Sequence, residues 1–237
     1  MNASEALAAL AEAYWNWTLG ENPVLATYLG DFRFNDRLMD ISDACRARRR
    51  EALKGFLAQT AALDADSLPE SGRVTADILR VQIEFALEEE RHKFWQWEVD
   101  QLQGPQAEFP QLLNFHPHTD LAGLEARFRA FPAFIEQYLG NLRLGMRERR
   151  TAVRAAVERV LGQLKELLAQ PVERSPFAVR PELVPAVRDS VYPAFRAMLA
   201  FLERDYLPAA RGENVGLGAL PGGAEAYAFR IRFHTTT

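Results

Sequence analysis

The chain has 237 residues, of which 48% are hydrophobic and 25% are charged, and its formal net charge is −4. This composition is that of an ordinary globular protein, which excludes the disordered, collagen-like and disulfide-rich classes. The acidic balance argues against a nucleic-acid partner, because phosphate binding usually needs a basic excess.

The N-terminus and the hydropathy pattern predict a soluble, cytoplasmic protein. The opening residues Met-Asn-Ala-Ser-Glu-Ala-Leu lack the basic and apolar regions of a secretory signal. No stretch approaches the ~18 uninterrupted apolar residues that a membrane span requires. Cys45 is the single cysteine, so no intramolecular disulfide is possible. We therefore expect no membrane partner and no oxidising compartment.

Residues 1–100 predict a series of helical hairpins. The first helix shows apolar residues at three- and four-residue spacing, with Asn2 and Glu5 in the positions of a capping box. Asn22-Pro23 indicates a helix cap followed by proline at the first helical position, which begins a second helix.

Two longer helices follow within the same region. Ser42 is expected to cap a helix of about 20 residues, a usual length for globular proteins. Residues 72–97 predict another helix. Four apolar residues of that helix are expected to face inward: Val74, Ile78, Val81 and Phe85.

Residues 101–119 predict an irregular connection, because Pro110 and the His116-Pro117-His118 tripeptide interrupt the periodicity. Alternate residues of an extended loop share one side, which makes His116 and His118, with Asp120, weak candidates for metal ligands. The alternative is an ordinary loop in which these histidines have no chemical role.

Residues 120–211 predict a second helical group with regular apolar spacing. Thr151 is expected to cap one of its helices. The last helix of the group is predicted over roughly residues 181–210, with bends near Pro185 and Pro193.

Residues 212–237 predict a glycine-rich turn and a short β-strand. Apolar side chains alternate strictly with the others: Tyr227, Phe229, Ile231 and Phe233 against Ala228, Arg230, Arg232 and His234. A strand needs a partner for its backbone groups, and no other segment predicts one convincingly. We therefore interpret the fold as continuing in polypeptide beyond Thr237. A frayed tail, or pairing with the connection around residues 100–119, is the alternative.

The residues alone predict an all-α protein: an elongated multi-helix bundle with one short β segment at the C-terminus, forming a single helical domain over residues 1–237. The sequence contains no H-E-x-x-H, no G-x-S-x-G and no phosphate-binding glycine loop after a strand. No residue is therefore assigned a catalytic role.

Three segments together resemble the N-terminal part of a bacterial family catalogued as domain of unknown function 885. They are N-P-V-L-A-T-Y-L-G at Asn22–Gly30, T-A-V-R-A-A-V-E-R-V from Thr151, and the run from Tyr206 to Thr237 that ends in Y-A-F-R-I-R-F-H-T-T-T. The last segment is the most specific, and the resemblance covers essentially the whole chain.

That family is similar to the mostly helical, gluzincin-like zinc metallopeptidases, which have a deep cleft. The family's zinc motif, of the form H-E-x-x-P-G-H-H, lies in its C-terminal half and is not in this sequence. The resemblance therefore implies that this chain binds no cofactor and is inactive alone, and that zinc belongs to the C-terminal half of a longer parent. The expected partners are that catalytic half and a peptide substrate.

The resemblance also suggests cleft residues. Tyr227, Arg232, His234 and Thr235 are candidates, because the backbone of an exposed edge strand can hold an extended peptide. A structural hydrogen bond at the strand end is the alternative for His234. The competing function is a stand-alone helical interaction module that forms a homodimer by pairing this strand in trans. A reading frame that continues into an H-E-x-x-H helix would favour the peptidase-like interpretation.

Overall fold

The computed structural model describes residues 2–115 and 120–235, and this described part is helical. Its α-helices are α1 (Ala3–Glu21), α2 (Pro23–Tyr28), α3 (Asp43–Ala61), α4 (Glu70–His92), α5 (Pro105–Phe115), α6 (Leu121–Arg129), α7 (Phe131–Arg147), α8 (Arg154–Ala169), α9 (Val184–Ala186), α10 (Tyr192–Phe201), α11 (Leu207–Ala209) and α12 (Gly223–His234). Within these residues the β-pairing consists of an isolated parallel bridge between Val153 and Arg211. The prediction of an all-α fold is confirmed.

The starts of the first helices follow their local sequence. In α1 the Glu5 amide donates to Asn2 Oδ1 and the Asn2 amide donates to Glu5 Oε2, each at 2.9 Å. These two bonds form the predicted capping box, which satisfies two amides that a helix start leaves without partners. Pro23 occupies the first turn of α2, and Ser42 caps α3 by accepting from the Cys45 amide. These three predictions are confirmed.

The larger of two apolar cores lies among α5, α6, α7, α8 and α10. Phenylalanine rings from separate segments meet edge to face at its centre. The Phe195 ring centroid lies 5.5 Å from those of both Phe131 and Phe177, and all three side chains are fully buried. Burial of this apolar surface is the main force that holds the second helical group together.

The smaller core lies among α1, α3 and α4. Leu10, Leu53 and Ile83 are buried at its centre, one from each helix. A partly buried aromatic group that includes Trp17 and Phe56 packs against it.

A polar layer separates the two cores. The Arg46 guanidinium lies 3.6 Å from the ring centroid of Trp95 and donates to Asn141 Oδ1 on α7. Nearby, Arg49 Nε donates to Glu21 Oε2 at 2.6 Å. Arg46 is almost completely buried, and the stacked ring and the amide oxygen offset part of its lost hydration, while its Nε has no hydrogen-bond partner among the described residues. The two helical groups are thus joined by directional polar contacts as well as by apolar packing.

The face of α4 that is buried differs from the predicted one. Leu79 and Ile83 lie in the small core, whereas Val74 and Ile78 are each 54% exposed. The prediction that Val74, Ile78, Val81 and Phe85 face inward is wrong for Val74 and Ile78. The helix has apolar side chains on two opposite faces, and the spacing of residues cannot decide which face meets the neighbouring helices.

The predicted irregular connection contains helix α5, so that prediction is wrong over Pro105–Phe115. Proline is well placed in a first helical turn, where the missing amide is not needed. A Cβ on Gly104 would overlap with the Asp100 carbonyl oxygen, so only glycine fits at the turn before the helix. Pro110 lies inside α5 without ending it. His116 and His118 lie outside the described residues.

Thr151 does not cap a helix, contrary to the prediction. Helix α8 begins at Arg154, and the Thr151 hydroxyl instead donates to the Ala209 carbonyl at 3.0 Å. The Arg154 amide donates to the Arg211 carbonyl at 2.8 Å. The chain after α11 therefore provides a hydrogen-bond acceptor at the start of α8, and the local sequence carries no signal for this long-range contact.

The last helix of the second group runs continuously over residues 184–209. Two π-helical turns, Val187–Val191 and Leu202–Tyr206, interrupt its α-helical geometry. Pro193 and Pro208 each follow one of these turns, at the second position of the next α-helical segment. Proline cannot supply the amide that the i→i−4 ladder needs, and wider turns next to it are a usual accommodation.

The C-terminal segment is a helix, and the prediction of a β-strand over residues 227–234 is wrong. In α12 the residues Ala226 and Phe229 are buried at a spacing of three, whereas Tyr227 and Ile231 are exposed at a spacing of four. Eight residues fit either period, and a helix satisfies its own backbone groups without a partner strand. The alternative function, a homodimer that forms by pairing this strand in trans, therefore lacks the strand that it requires.

Among the described residues, no helix is both long enough and apolar enough to cross a membrane.

Candidate functional site

A cleft of about 590 Å³ opens between α2, the segment 98–105, α5 and α7. We call it the carboxylate cleft, because Glu98 and Glu108 are its charged lining residues in the described chain. The remaining walls are mostly aromatic and aliphatic and include Tyr28, Leu38, Met39, Ile41, Phe109, Phe134 and Tyr138. A concave, largely apolar surface with a few polar groups is the usual form of a ligand site.

Two tyrosines fix the backbone on which the carboxylates stand. The Tyr138 hydroxyl donates to the Glu98 carbonyl oxygen at 2.6 Å. The Tyr28 hydroxyl donates to the Glu108 carbonyl oxygen at 3.2 Å. Tyr138 belongs to α7 and Tyr28 to α2, so each carboxylate-bearing segment is attached to a different helix of the cleft wall.

The turn between the two glutamates is held by its own hydrogen bonds. Asp100 Oδ1 accepts from the amides of Leu102 and Gln103 at 2.6 and 2.9 Å. Gln106 Nε2 donates to the Asp100 carbonyl at 2.9 Å and to Gln163 Oε1 at 3.0 Å. Because Gln163 lies on α8, the turn is attached to the large core and presents a fixed rim to the cleft.

The electrostatics of the cleft favour a proton on Glu108. Burial and then the charge of Glu98 raise the pKa of Glu108 to about 7. Burial also raises the pKa of Glu98, and Glu89 adds to this increase while Arg230 opposes it. Although Glu98 is solvent-exposed by area, it stands among enough protein atoms for the loss of hydration to dominate. Glu108 is therefore close to half-protonated at neutral pH.

A second hollow of about 370 Å³ adjoins the first and shares Glu98 with it. We call it the arginine hollow, because Arg211 and Arg230 line it. Arg230 lies 3.9 Å from the ring centroid of Phe94, and its Nη1 is 3.1 Å from Glu89 Oε1. The surface therefore changes from acidic to basic across Glu98.

Three of the predicted cleft residues, Tyr227, Arg232 and His234, lie on α12, and Thr235 directly follows that helix. Arg232 Nη2 donates to Glu88 Oε1 at 2.6 Å, and Thr235 Oγ1 donates to the backbone of the preceding turn. His234 and Tyr227 are exposed. None of the four is among the described residues that line the carboxylate cleft or the arginine hollow. A contact between them and a substrate stays a prediction.

Sequence reasoning missed Glu98 and Glu108. The available signal was a single carboxylate within an otherwise apolar run, as in the helix where Glu108 precedes Phe109 and Leu112. Such a residue is either turned to solvent or held with a shifted pKa, and only the positions of the neighbouring helices distinguish these cases.

Within residues 2–115 and 120–235, no group of three or more His, Cys, Asp or Glu side chains is arranged to hold a metal ion. The candidates His116 and His118 lie outside these ranges. Cys45 is buried, and burial raises the pKa of its thiol, which disfavours the reactive thiolate.

Two solved structures share the fold of this chain. The first is a putative lipoprotein from Colwellia psychrerythraea, with a TM-score of 0.83 and 16% identity over 98% of this chain and 46% of that one. The second is a putative lipoprotein of unknown function from Shewanella oneidensis, with a TM-score of 0.65 and 18% identity over 95% of this chain and 42% of that one. The chain thus spans less than half the length of either structure.

No curated protein matches the chain. Residues 23–237 match the family model described as bacterial protein of unknown function, DUF885. This match covers most of the chain and agrees with the resemblance found in the N-P-V-L-A-T-Y-L-G and C-terminal segments. The chain belongs to the bacterial protein family of unknown function DUF885.

Proposed function

We propose that this chain is the helical, cleft-forming region of a zinc-dependent, peptidase-like protein, and that it is not catalytic by itself. Three features support the proposal. The resemblance of the sequence implies a relation to helical zinc metallopeptidases. The two solved structures are more than twice the length matched here, and the fold presents a cleft with an apolar lining and two carboxyl groups. In this proposal the remainder of the protein supplies the zinc and the bond-breaking groups.

The observation that carries the proposal is the geometry of the cleft, whose lining in the described chain has two carboxyl groups and no cationic side chain. The electrostatics agree with this geometry, most clearly at Glu108. Its pKa is raised because burial and Glu98 both disfavour the charged carboxylate. A cation placed beside the carboxylate reverses that effect and lowers the pKa. The amino group of a peptide is such a cation, and the aromatic walls formed by Phe109 and Phe134 suit the side chains next to it. The carboxylate cleft is thus a site for the positively charged end of a peptide.

The chemistry assigned to this chain is binding and orientation. Glu108 and Glu98 hold the peptide amine, and the tyrosines hold the backbone of both glutamates in place. Zinc in the longer protein would activate water for peptide hydrolysis. Because the described residues do not provide a set of zinc ligands, no step of that chemistry is assigned to them.

Peptide binding to the 237-residue chain tests the proposal by calorimetry with two probes. Tetra-alanine has a free amine, and N-acetyl-tetra-alanine has the same side chains without that charge. We expect the free amine to bind at least about tenfold more tightly at pH 8, which is the effect of roughly one ion-paired hydrogen bond. The substitution Glu108→Gln should remove this preference. Glu166→Gln, which changes an exposed carboxylate on α8, is the matched control.

Equal affinity for both peptides, or an unchanged preference in the Glu108→Gln variant, would overturn the role of the cleft. The peptidase assignment has its own test in the longer protein, where cleavage of peptides should stop when a chelator removes zinc. If the 237-residue chain itself binds stoichiometric zinc and cleaves peptides, the proposal that this chain is not catalytic by itself is wrong.

Cellular location needs a separate experiment. The sequence predicts a cytoplasmic protein, whereas both solved neighbours are described as putative lipoproteins. Fractionation of the native host, with an antibody raised against this chain, distinguishes a cytoplasmic pool from an envelope-bound one.

A further inference from the structure

Helix α4 carries apolar side chains on two opposite faces. One face, with Leu79 and Ile83, is buried in the small core. The other face carries Val74, Ile78, Val81 and Phe85 at helical spacing, and we call it the α4 stripe. A helix that is apolar on opposite sides is usually covered on both sides. The 54% exposure of Val74 and of Ile78 is therefore a departure from the usual pattern.

One end of the α4 stripe is already covered by α12. The Phe85 ring lies 6.0 Å from Phe229 and 5.6 Å from Phe233, measured between centroids. Beside these rings, Arg232 pairs with Glu88 at 2.6 Å and Arg230 pairs with Glu89 at 3.1 Å. The α4 stripe is thus covered by α12 near Phe85, at its C-terminal end, and is exposed near Ile78 and Val74, at its N-terminal end.

The direction of α12 is set by these contacts. Phe229 lies 5.1 Å from His92, at the C-terminal end of α4, and Phe233 lies beside Phe85, about two turns earlier in α4. Helix α12 is therefore antiparallel to α4. As the chain proceeds through α12 it approaches the exposed part of the stripe.

We propose that the exposed part of the α4 stripe, Val74 and Ile78, is the docking surface for polypeptide that follows Thr237 in the longer protein of the proposed function. The lengths of the two solved relatives provide room for such a segment, since this chain matches 46% and 42% of them. The antiparallel course of α12 delivers the segment to the stripe without a long connection. The partly exposed ring of Phe233 on α12, which packs against Phe85, extends the apolar surface on which it packs.

The proposal shares with the proposed function only the premise that polypeptide follows Thr237. It concerns a different face and makes no use of the carboxylate cleft. A failure of peptide binding would leave it intact, and its own failure would leave the cleft intact.

Cysteine labelling measures whether the stripe is covered. Cys45 is buried, so a single new cysteine provides a clear signal with a water-soluble maleimide under native conditions. The variants are Val74→Cys and Ile78→Cys on the stripe, with Arg80→Cys as the control on an exposed polar face of the same helix. Each is made both in the 237-residue chain and in the full-length protein.

The stripe cysteines should react at least about tenfold more slowly in the full-length protein than in the 237-residue chain, because a covered site reacts only when it opens. The Arg80→Cys control should react at similar rates in both. Equal labelling of Ile78→Cys in the two proteins would overturn the proposal. A second outcome would also overturn the proposal. If the 237-residue chain elutes as a dimer and its Ile78→Cys variant reacts more slowly as the protein concentration increases, the stripe binds a second copy of the chain.

Discussion

Helices α10 and α4 are the central helices of their groups, and they differ in how completely their apolar surface is covered. In α10 the side chains of Phe195 and Met198 are fully buried, and α7 and α8 pack against the helix from different sides. In α4 one apolar face is buried against α1 and α3 while the opposite face is exposed at Val74 and Ile78. The large apolar side chains are thus more completely buried around α10 than around α4.

This difference separates the stable centre of the molecule from the part available for contacts. The large core needs nothing outside the described residues to cover α10. The α4 stripe is covered only where α12 crosses it at Phe85, and that crossing combines aromatic contacts with two ion pairs on the surface. Exposed ion pairs contribute little, typically about 0–1 kcal/mol each, so α12 is held chiefly by its aromatic side chains.

The largest expected effect is in the large core. Phe195→Ala should lower the free energy of unfolding by about 3–5 kcal/mol, because it removes a fully buried ring that contacts Phe131 and Phe177. Denaturant unfolding followed by circular dichroism measures this loss. A change smaller than about 1 kcal/mol, within the range of a surface substitution, would show that α10 is not the stable centre.

Phe229→Ala should have an intermediate effect confined to α12. The ring is fully buried between Phe85, His92 and Phe94, but the helix it anchors lies at the edge of the small core. We expect a loss of about 2 kcal/mol in the docking of α12, less than for Phe195 because the helix can detach locally. Limited trypsin digestion should then cut at Arg230 and Arg232 before the remaining chain unfolds. Cleavage spread evenly over the chain would contradict local detachment.

Glu108 should make stability depend on pH. Its pKa is about 7 in the folded chain and near 4.5 when unfolded, so the folded state binds more protons between these values. The contribution of Glu108 to the free energy of unfolding is therefore greatest below about pH 4.5 and is lost as the pH rises through 7. Glu108→Gln should remove this slope and stabilise the chain at pH 8 by roughly 1–2 kcal/mol. A parallel pH dependence in the variant and the parent would contradict the shifted pKa.

The smallest effect is expected on the α4 stripe. Ile78→Ala in the 237-residue chain should change the free energy of unfolding by less than about 0.5 kcal/mol, because the side chain is largely in water already. Denaturant unfolding measures this change, and its comparison with the loss caused by Phe195→Ala gives the contrast between the two helices directly. A loss of about 2 kcal/mol or more would mean that Ile78 is buried in solution, and the comparison would fail.

Local signals in the sequence predicted the starts of α1, α2 and α3, although not that of α8. The capping box of Asn2 and Glu5 and the cap at Ser42 depend on residues within one turn of each other, so they hold whatever the tertiary contacts. The resemblance to the DUF885 family is confirmed by the match over residues 23–237. The all-α class follows from the periodic spacing in the rest of the chain.

The errors arose where distant residues decide the structure. The alternation in residues 227–234 fits a strand, but Phe229 finds its partners on α4 and in the turn after it, and those contacts select the helix. Spacing alone could not tell which face of α4 meets α1 and α3. The carboxylate cleft was also out of reach, because Glu98 and Glu108 become neighbours only when α2 and α7 fix their backbones.

Hydrogen–deuterium exchange of α4 and α10, measured by mass spectrometry in the 237-residue chain and in the full-length protein, tests the contrast most directly. We expect α10 to exchange slowly and equally in both proteins, because its surroundings are complete within this chain. If the proposed docking is correct, the first half of α4, around Val74 and Ile78, should exchange more slowly in the longer protein than in the 237-residue chain. Identical exchange of α4 in the two proteins would contradict the account.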